Sequence, residues 1–190
     1  MKIVLASGSP RRKELLEMLG TQIYEIRPAV GEEKVREGLS PADTVKELAL
    51  QKAREVAAHY SDGEVIIAAD TIVYAGGAIL GKPHTEAEAA DMLRTLSGKT
   101  HEVYSGICVI CGDRTEAACE CTGVKFRELS DDEIKTYIAT GDPMDKAGAY
   151  GIQGKASLFI EGISGDYYNV MGLPLCRLNG ILKAVGVDLL

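Results

Sequence analysis

The chain has 190 residues, 46% hydrophobic and 26% charged, with a net charge of −7. That length builds one large domain or two small lobes sharing a core, and the composition is that of a globular protein. The acidic balance, without a basic stripe, excludes wholesale nucleic-acid binding; no apolar run reaches membrane-spanning length and no signal-peptide core opens the chain, so a cytoplasmic location is expected.

Residues 2–6 predict a first strand, and the small residues Ser7 to Ser9 a loop. Pro10 opens a helix to about Leu19, stopped by Gly20. A strand is expected at 23–27 and irregular polar chain at 31–40. Ser40-Pro41 starts a long helix, with Val45, Leu48, Ala49, Ala53, Val56 and Ala57 at helical spacing. The turn Ser61-Asp62-Gly63 then leads into the β-branched run Val65-Ile66-Ile67-Ala68-Ala69, with Asp70 at the end of the run and Thr71-Ile72-Val73 after it, a buried strand bounded by Gly76-Gly77. Thr85 caps a helix over 86–96, with Glu88 as its capping-box partner. Residues 100–111 and 114–125 form a hairpin turning at Gly112-Asp113. Ser130 and Glu133 cap a helix over 131–140, closed by Gly141-Asp142-Pro143. Residues 145–172 are expected to be rich in loops, with a short strand near 158–160, and Pro174 begins the last helix. Strands alternating with helices, plus one hairpin, predict an α/β fold with a mixed sheet.

Five places could carry chemistry. A buried carboxylate such as Asp70 needs a cation or donor to meet it; Lys82, or Arg11 and Arg12, are the candidates. With Thr71 it reads as metal ligand and general base at the end of a strand, or as a buried polar pair. Ser7-Gly8-Ser9-Pro10-Arg11-Arg12 joins strand to helix, where open amides, hydroxyls and guanidinium forks attract phosphate; helix cap with solvated arginines is the alternative. Lys82 lies on a short Gly-Lys-Pro loop, an ordinary surface position unless a ligand approaches the neighbouring glycine. Glu32-Glu33 reads, on spacing alone, as a solvated loop. In Gly148 to Lys155, glycines permit tight turns and Gln153 offers donor and acceptor to a base edge; a flexible linker is the other reading. The odd number of cysteines argues for reduced thiols. Cys108 and Cys111 fall on opposite faces of a strand, which disfavours zinc, and the histidines lack metal-like spacing.

The order of these signals resembles the Maf family of nucleoside triphosphate pyrophosphatases. The matching segments are LASGSPRRKELLEMLG from Leu5, AADTIV from Ala68, LGKP from Leu80, MLRTLSGKTHEV from Met92, GDPMDKAGAYGIQGKA from Gly141 and GDYYNVMGLPL from Gly165. They run in register through nearly the whole chain, as a single Maf-like domain. The resemblance implies a fold related to the inosine-triphosphate pyrophosphatases: an elongated mixed sheet flanked by helices, in two lobes with a central cleft. It implies Asp70 as proton acceptor, with Lys82 and Glu33 also catalytic, and Ser7, Arg11, Arg12 and Lys52 binding substrate. Arg12, Thr71 and Gln153 match the branch acting on dTTP and UTP. It further implies Mg²⁺ or Mn²⁺ held by Asp70 and Glu33, a nucleoside triphosphate as the partner, and leaves room for a homodimer. The expected reaction gives monophosphate and pyrophosphate, on canonical or modified pyrimidine nucleotides, as a housecleaning activity. Two other readings stand beside it: a non-catalytic, nucleotide-binding regulator of septum formation, and a nucleotidyl transferase using the same metal and phosphate logic.

Overall fold

The computed structural model describes residues 2–61 and 63–189; Asp62 of the expected turn, with Met1 and Leu190, lies outside the described residues. The strands are β1 (Lys2–Leu5), β2 (Ile23–Ile26), β3 (Glu64–Ala75), β4 (Ala78–Leu80), β5 (Thr100–Cys111), β6 (Arg114–Phe126) and β7 (Ile160–Ser164). The helices are α1 (Pro10–Met18), α2 (Pro41–Ala57), α3 (Glu86–Leu96), α4 (Asp131–Ile138), α5 (Tyr167–Met171) and α6 (Leu175–Ala184). The strands form one seven-stranded sheet in the order β2-β1-β3-β5-β6-β7, with β4 paired to β3. β1 runs parallel to β2 and β3, whereas β4 is antiparallel to β3 and β7 to β6. The mixed α/β architecture is the one expected.

The chain divides into two compact units, Met1–Asp70 with Ser105–Glu120 and Gly172–Leu190, and Thr71–Tyr104 with Cys121–Met171. In the first, Val4, Ala6, Ile66 and Ala68 of the sheet pack against Ala49, Ala53 and Val56 of α2. The parallel pair β1–β3 is covered by side chains, which is why both strands read as continuous apolar runs. Small residues let α2 approach closely. At Gly106 a Cβ would lie 2.2 Å from the Val45 carbonyl oxygen, so only glycine fits.

In the second unit, Val73, Val103, Val124 and Phe126 of the strands meet Leu93 and Leu96 of α3 and Ile134 and Tyr137 of α4. Thr85 caps α3 by accepting from the Glu88 amide at 3.1 Å, and α4 opens with the complete Ser130–Glu133 capping box. Buried Asn169 donates to the Val103 carbonyl at 2.9 Å and to Thr122 Oγ1 at 3.0 Å, which pins α5 to β5 and β6.

Two expectations are corrected. Asp70 does not end its strand: β3 continues through Thr71-Ile72-Val73 to Ala75. β4 pairs with Val73 to Ala75 and keeps the backbone extended up to the expected boundary at Gly76-Gly77. Residues 145–172 are also more regular than expected. They hold 3-10 turns at Ala147–Ala149 and Gly154–Phe159, then β7 and α5, with another turn just before at Asp142–Asp145. These elements are too short to show a period, and the strand falls at Ile160–Ser164 rather than at 158–160.

Candidate active site

The first unit assembles most of the expected residues. Asp70, 9% exposed, sits mid-strand on β3. Of the expected cations, Arg12 interacts with it electrostatically, and a cation not expected there also meets it. That cation is Lys52 of α2, whose Nζ lies 2.5 Å from Asp70 Oδ1. The same ammonium is 2.8 Å from Glu33 Oε1. One cation therefore bridges two carboxylates, one buried and one half exposed.

Glu33 owes its place to a clamp that periodicity does not reveal. Glu55 accepts from the Val30 amide at 2.7 Å and from the Gly31 amide at 3.1 Å. Gln51 accepts from the Lys34 amide at 3.1 Å and donates to the Lys34 carbonyl at 2.6 Å. Arg36 pairs with Glu47 at 3.0 Å. Residues 47, 51, 52 and 55 lie on one helical face, so the irregular chain at 30–36 is laced along α2. The solvated-loop reading of Glu33 is replaced by this docked one.

The β1–α1 loop forms the second part of the site. Ser7 is buried, and its Oγ accepts from the Ser9 amide at 3.2 Å and from Arg12 Nη1 at 3.0 Å. Arg12 Nε donates to the Gly172 carbonyl at 2.9 Å. Burial pushes the Arg12 pKa below its ordinary value; Asp70 opposes that, Arg11 reinforces it and Glu33 opposes it. The guanidinium stays charged. Pro10 supplies no amide, Ser9 makes no side-chain cap, and no acid lies in the first turn of α1. No side chain of α1 itself therefore offsets the positive end of the helix. Gly172 was missed from sequence, because a carbonyl partner 160 residues away leaves no local signal.

The other expected residues belong to the second unit. Thr71 is half-buried, Lys82 exposed on the loop after β4, and Gln153 exposed just before the turn at Gly154–Phe159. The Gly148 amide donates to the Gly81 carbonyl at 3.0 Å, which ties the Lys82 loop to the segment that leads to Gln153.

Among the described residues no three His, Cys, Asp or Glu side chains gather as a metal-binding group. The cysteines form no disulfide. Among the described residues no helix is long and apolar enough to cross a membrane.

The fold is shared with solved Ham1 proteins. That from Staphylococcus aureus matches with a TM-score of 0.53 at 15% identity, covering 97% of this chain and 99% of that one. That from Coxiella burnetii matches with a TM-score of 0.54 at 17% identity over the same shares. The chain is thus a mixed α/β protein with the fold of these Ham1 proteins. It belongs to the Maf family, whose "Maf-like protein" model matches residues 2–185. The chain is 54% identical over 187 residues to the dTTP/UTP pyrophosphatase of Bacillus cereus (strain ZK / E33L), covering 98% of this chain and 97% of the relative. It is 53% identical to the protein of that name from Bacillus anthracis (strain CDC 684 / NRRL 3495), with the same shares covered.

Proposed function

We propose that this chain is a nucleoside triphosphate pyrophosphatase that hydrolyses dTTP and UTP to the monophosphate and pyrophosphate. The observation that carries the reading is the buried Asp70 held by Lys52 beside Glu33, in a chain of the Maf family. Asp70 takes the proton of a water attacking the α-phosphorus, the α–β phosphoanhydride bond breaks, and pyrophosphate leaves. Arg11 and Arg12 bind triphosphate oxygens beside Ser7, and Lys52 keeps the Asp70 carboxylate aligned. Lys82 is assigned to the departing pyrophosphate, and Thr71 and Gln153, with Arg12, to the pyrimidine edge. Their match to the dTTP/UTP branch supports these roles. We treat the two units as one functional domain, a reading that the unbroken family match supports. A cytoplasmic nucleotide pool is the expected source of substrate.

The residues fit a divalent cation. Asp70 and Glu33 are hard oxygen donors that already bracket one positive charge, at 2.5 and 2.8 Å from Lys52 Nζ. Mg²⁺ is characteristically held by one or two carboxylates with phosphate and water completing its shell. Held there, Mg²⁺ or Mn²⁺ supplies charge that offsets the negative charge building on phosphate oxygens.

The test is product analysis with dTTP and UTP in Mg²⁺ or Mn²⁺, alongside Asp70→Asn. Pyrophosphate without orthophosphate is expected, with kcat in the variant lowered by about 10²- to 10⁴-fold while its circular dichroism stays native. Wild-type turnover in the variant would refute Asp70 as the base. No turnover of any triphosphate by the wild-type protein would overturn the function.

A further inference from the structure

Lys146 belongs to none of the roles above, yet it is one of the most fully engaged cations in the second unit. Its side chain is 11% exposed. Nζ donates to the Asp142 carbonyl at 2.6 Å, to Asp142 Oδ1 at 3.0 Å and to Asp145 Oδ1 at 2.6 Å. An ammonium has three hydrogens to give, and all three are taken within its own segment. Lys146 has no donor left for a substrate, so its work is on the backbone around it.

That backbone is unusual. Gly148 has φ +67° and Ala149, which is not a glycine, has φ +60°. Two successive left-handed residues persist only where the surroundings hold them. At Gly148 a Cβ would lie 2.8 Å from Val73 Cγ2, and at Gly151 one would lie 2.9 Å from Lys146 Cδ and Cε. The lysine stem therefore fills the space against Gly151, two residues before Gln153. The Gly148 amide meets the Gly81 carbonyl, one residue before Lys82. Tyr137, buried on α4, fixes the far end by donating to Asp142 Oδ2 at 2.8 Å.

We propose that Lys146 is a positioning residue of this enzyme: by pinning the turn at 142–151 it sets Gln153 for base selection and the Gly81–Lys82 loop for catalysis. The inference rests on the pyrophosphatase reading above and adds to it the residue that couples selectivity to turnover. Lys146 itself touches no reacting atom.

Lys146→Met keeps the stem against Gly151 and removes the three hydrogen bonds; Lys146→Arg restores charge and donors. Each is assayed for kcat and KM with dTTP, UTP and GTP in Mg²⁺, next to Gln153→Ala and a thermal melt. Small displacements of positioned groups cost up to about 10²-fold. The expected result for Lys146→Met is therefore a drop of about ten- to a hundredfold in kcat/KM for dTTP. The dTTP-over-GTP ratio should collapse toward that of Gln153→Ala, with partial rescue by arginine. A purely structural lysine would lower the melting temperature and the active fraction alike for every nucleotide, leaving that ratio and KM at wild-type values. That outcome overturns the inference. If Lys146→Met does not fold, Asp145→Asn removes one partner from the exposed side and should shift the ratio in the same direction; an unchanged ratio there overturns it as well. Absence of turnover in the wild-type protein overturns the pyrophosphatase reading and this inference with it. Wild-type turnover with an unmoved ratio in folded variants sinks the inference alone.

Discussion

A carboxylate at the Asp70 position costs stability until a cation meets it, and Lys52 serves that need at 2.5 Å. Lys52→Met leaves the buried acid without its nearest countercharge. Loss of one partner of a fully buried pair costs about 3–5 kcal/mol; because both groups retain some exposure, about 1–3 kcal/mol is expected here. Added Mg²⁺ should raise the melting temperature of Lys52→Met more than that of the wild type, since the ion would take the charge position that the ammonium leaves. No shift in either protein would argue against a cation site at the two carboxylates. Asp70 was legible as an anomaly in an apolar run; Lys52 was not legible as its partner, because only the packing of α2 on the sheet brings it there. His101 is a second residue-scale case. It is 2% exposed, with Nε2 2.7 Å from Tyr150 Oη and its ring 5.0 Å from that of Phe126. Burial pushes its pKa down from 6.5 to about 4. The unfolded chain therefore takes up the proton first as pH falls. The stability this provides is complete above pH 6.5 and is lost progressively toward pH 4, on the order of 3 kcal/mol. His101→Gln keeps a partner for Tyr150 and should flatten the fall of melting temperature between those pH values; parallel curves would refute the assignment.

Helices α2, α3 and α4 were readable because their apolar spacing and caps are local. The cap residues Ser40, Thr85 and Ser130 each accept the expected amide. The chain at 30–36 has no such period, and what orders it is a row of side chains on α2. The turns at 142–149 were likewise hidden, since their order comes from one lysine and two aspartates. The closeness of α2 to β5 is testable at the same scale. Gly106→Ala would put a methyl 2.2 Å from the Val45 carbonyl oxygen and 2.7 Å from the Lys46 nitrogen, both backbone atoms that cannot swing aside. Overpacking of this kind costs about 1–3 kcal/mol. Urea denaturation should show that loss in the midpoint, and an unshifted midpoint would mean that α2 sits farther from the sheet.

For the molecule as a whole, the sequence by itself determined the class of each long element, the mixed α/β architecture and the set of chemical groups. Those follow from local signals: apolar period, β-branched runs, caps, and a charge out of place in a strand. Only the tertiary structure decided which groups meet. Lys52 reaches Asp70 across 18 residues, Glu55 reaches Val30 across 25, and Arg12 reaches Gly172 across 160. It also decided that Asp70 lies within β3 and not at its end, because pairing with β4 keeps the chain extended to Ala75. The physical reason is the same throughout. Propensity and capping act over a few neighbouring residues, whereas an ion pair or a carbonyl contact depends on distances that exist only after the sheet and helices have packed.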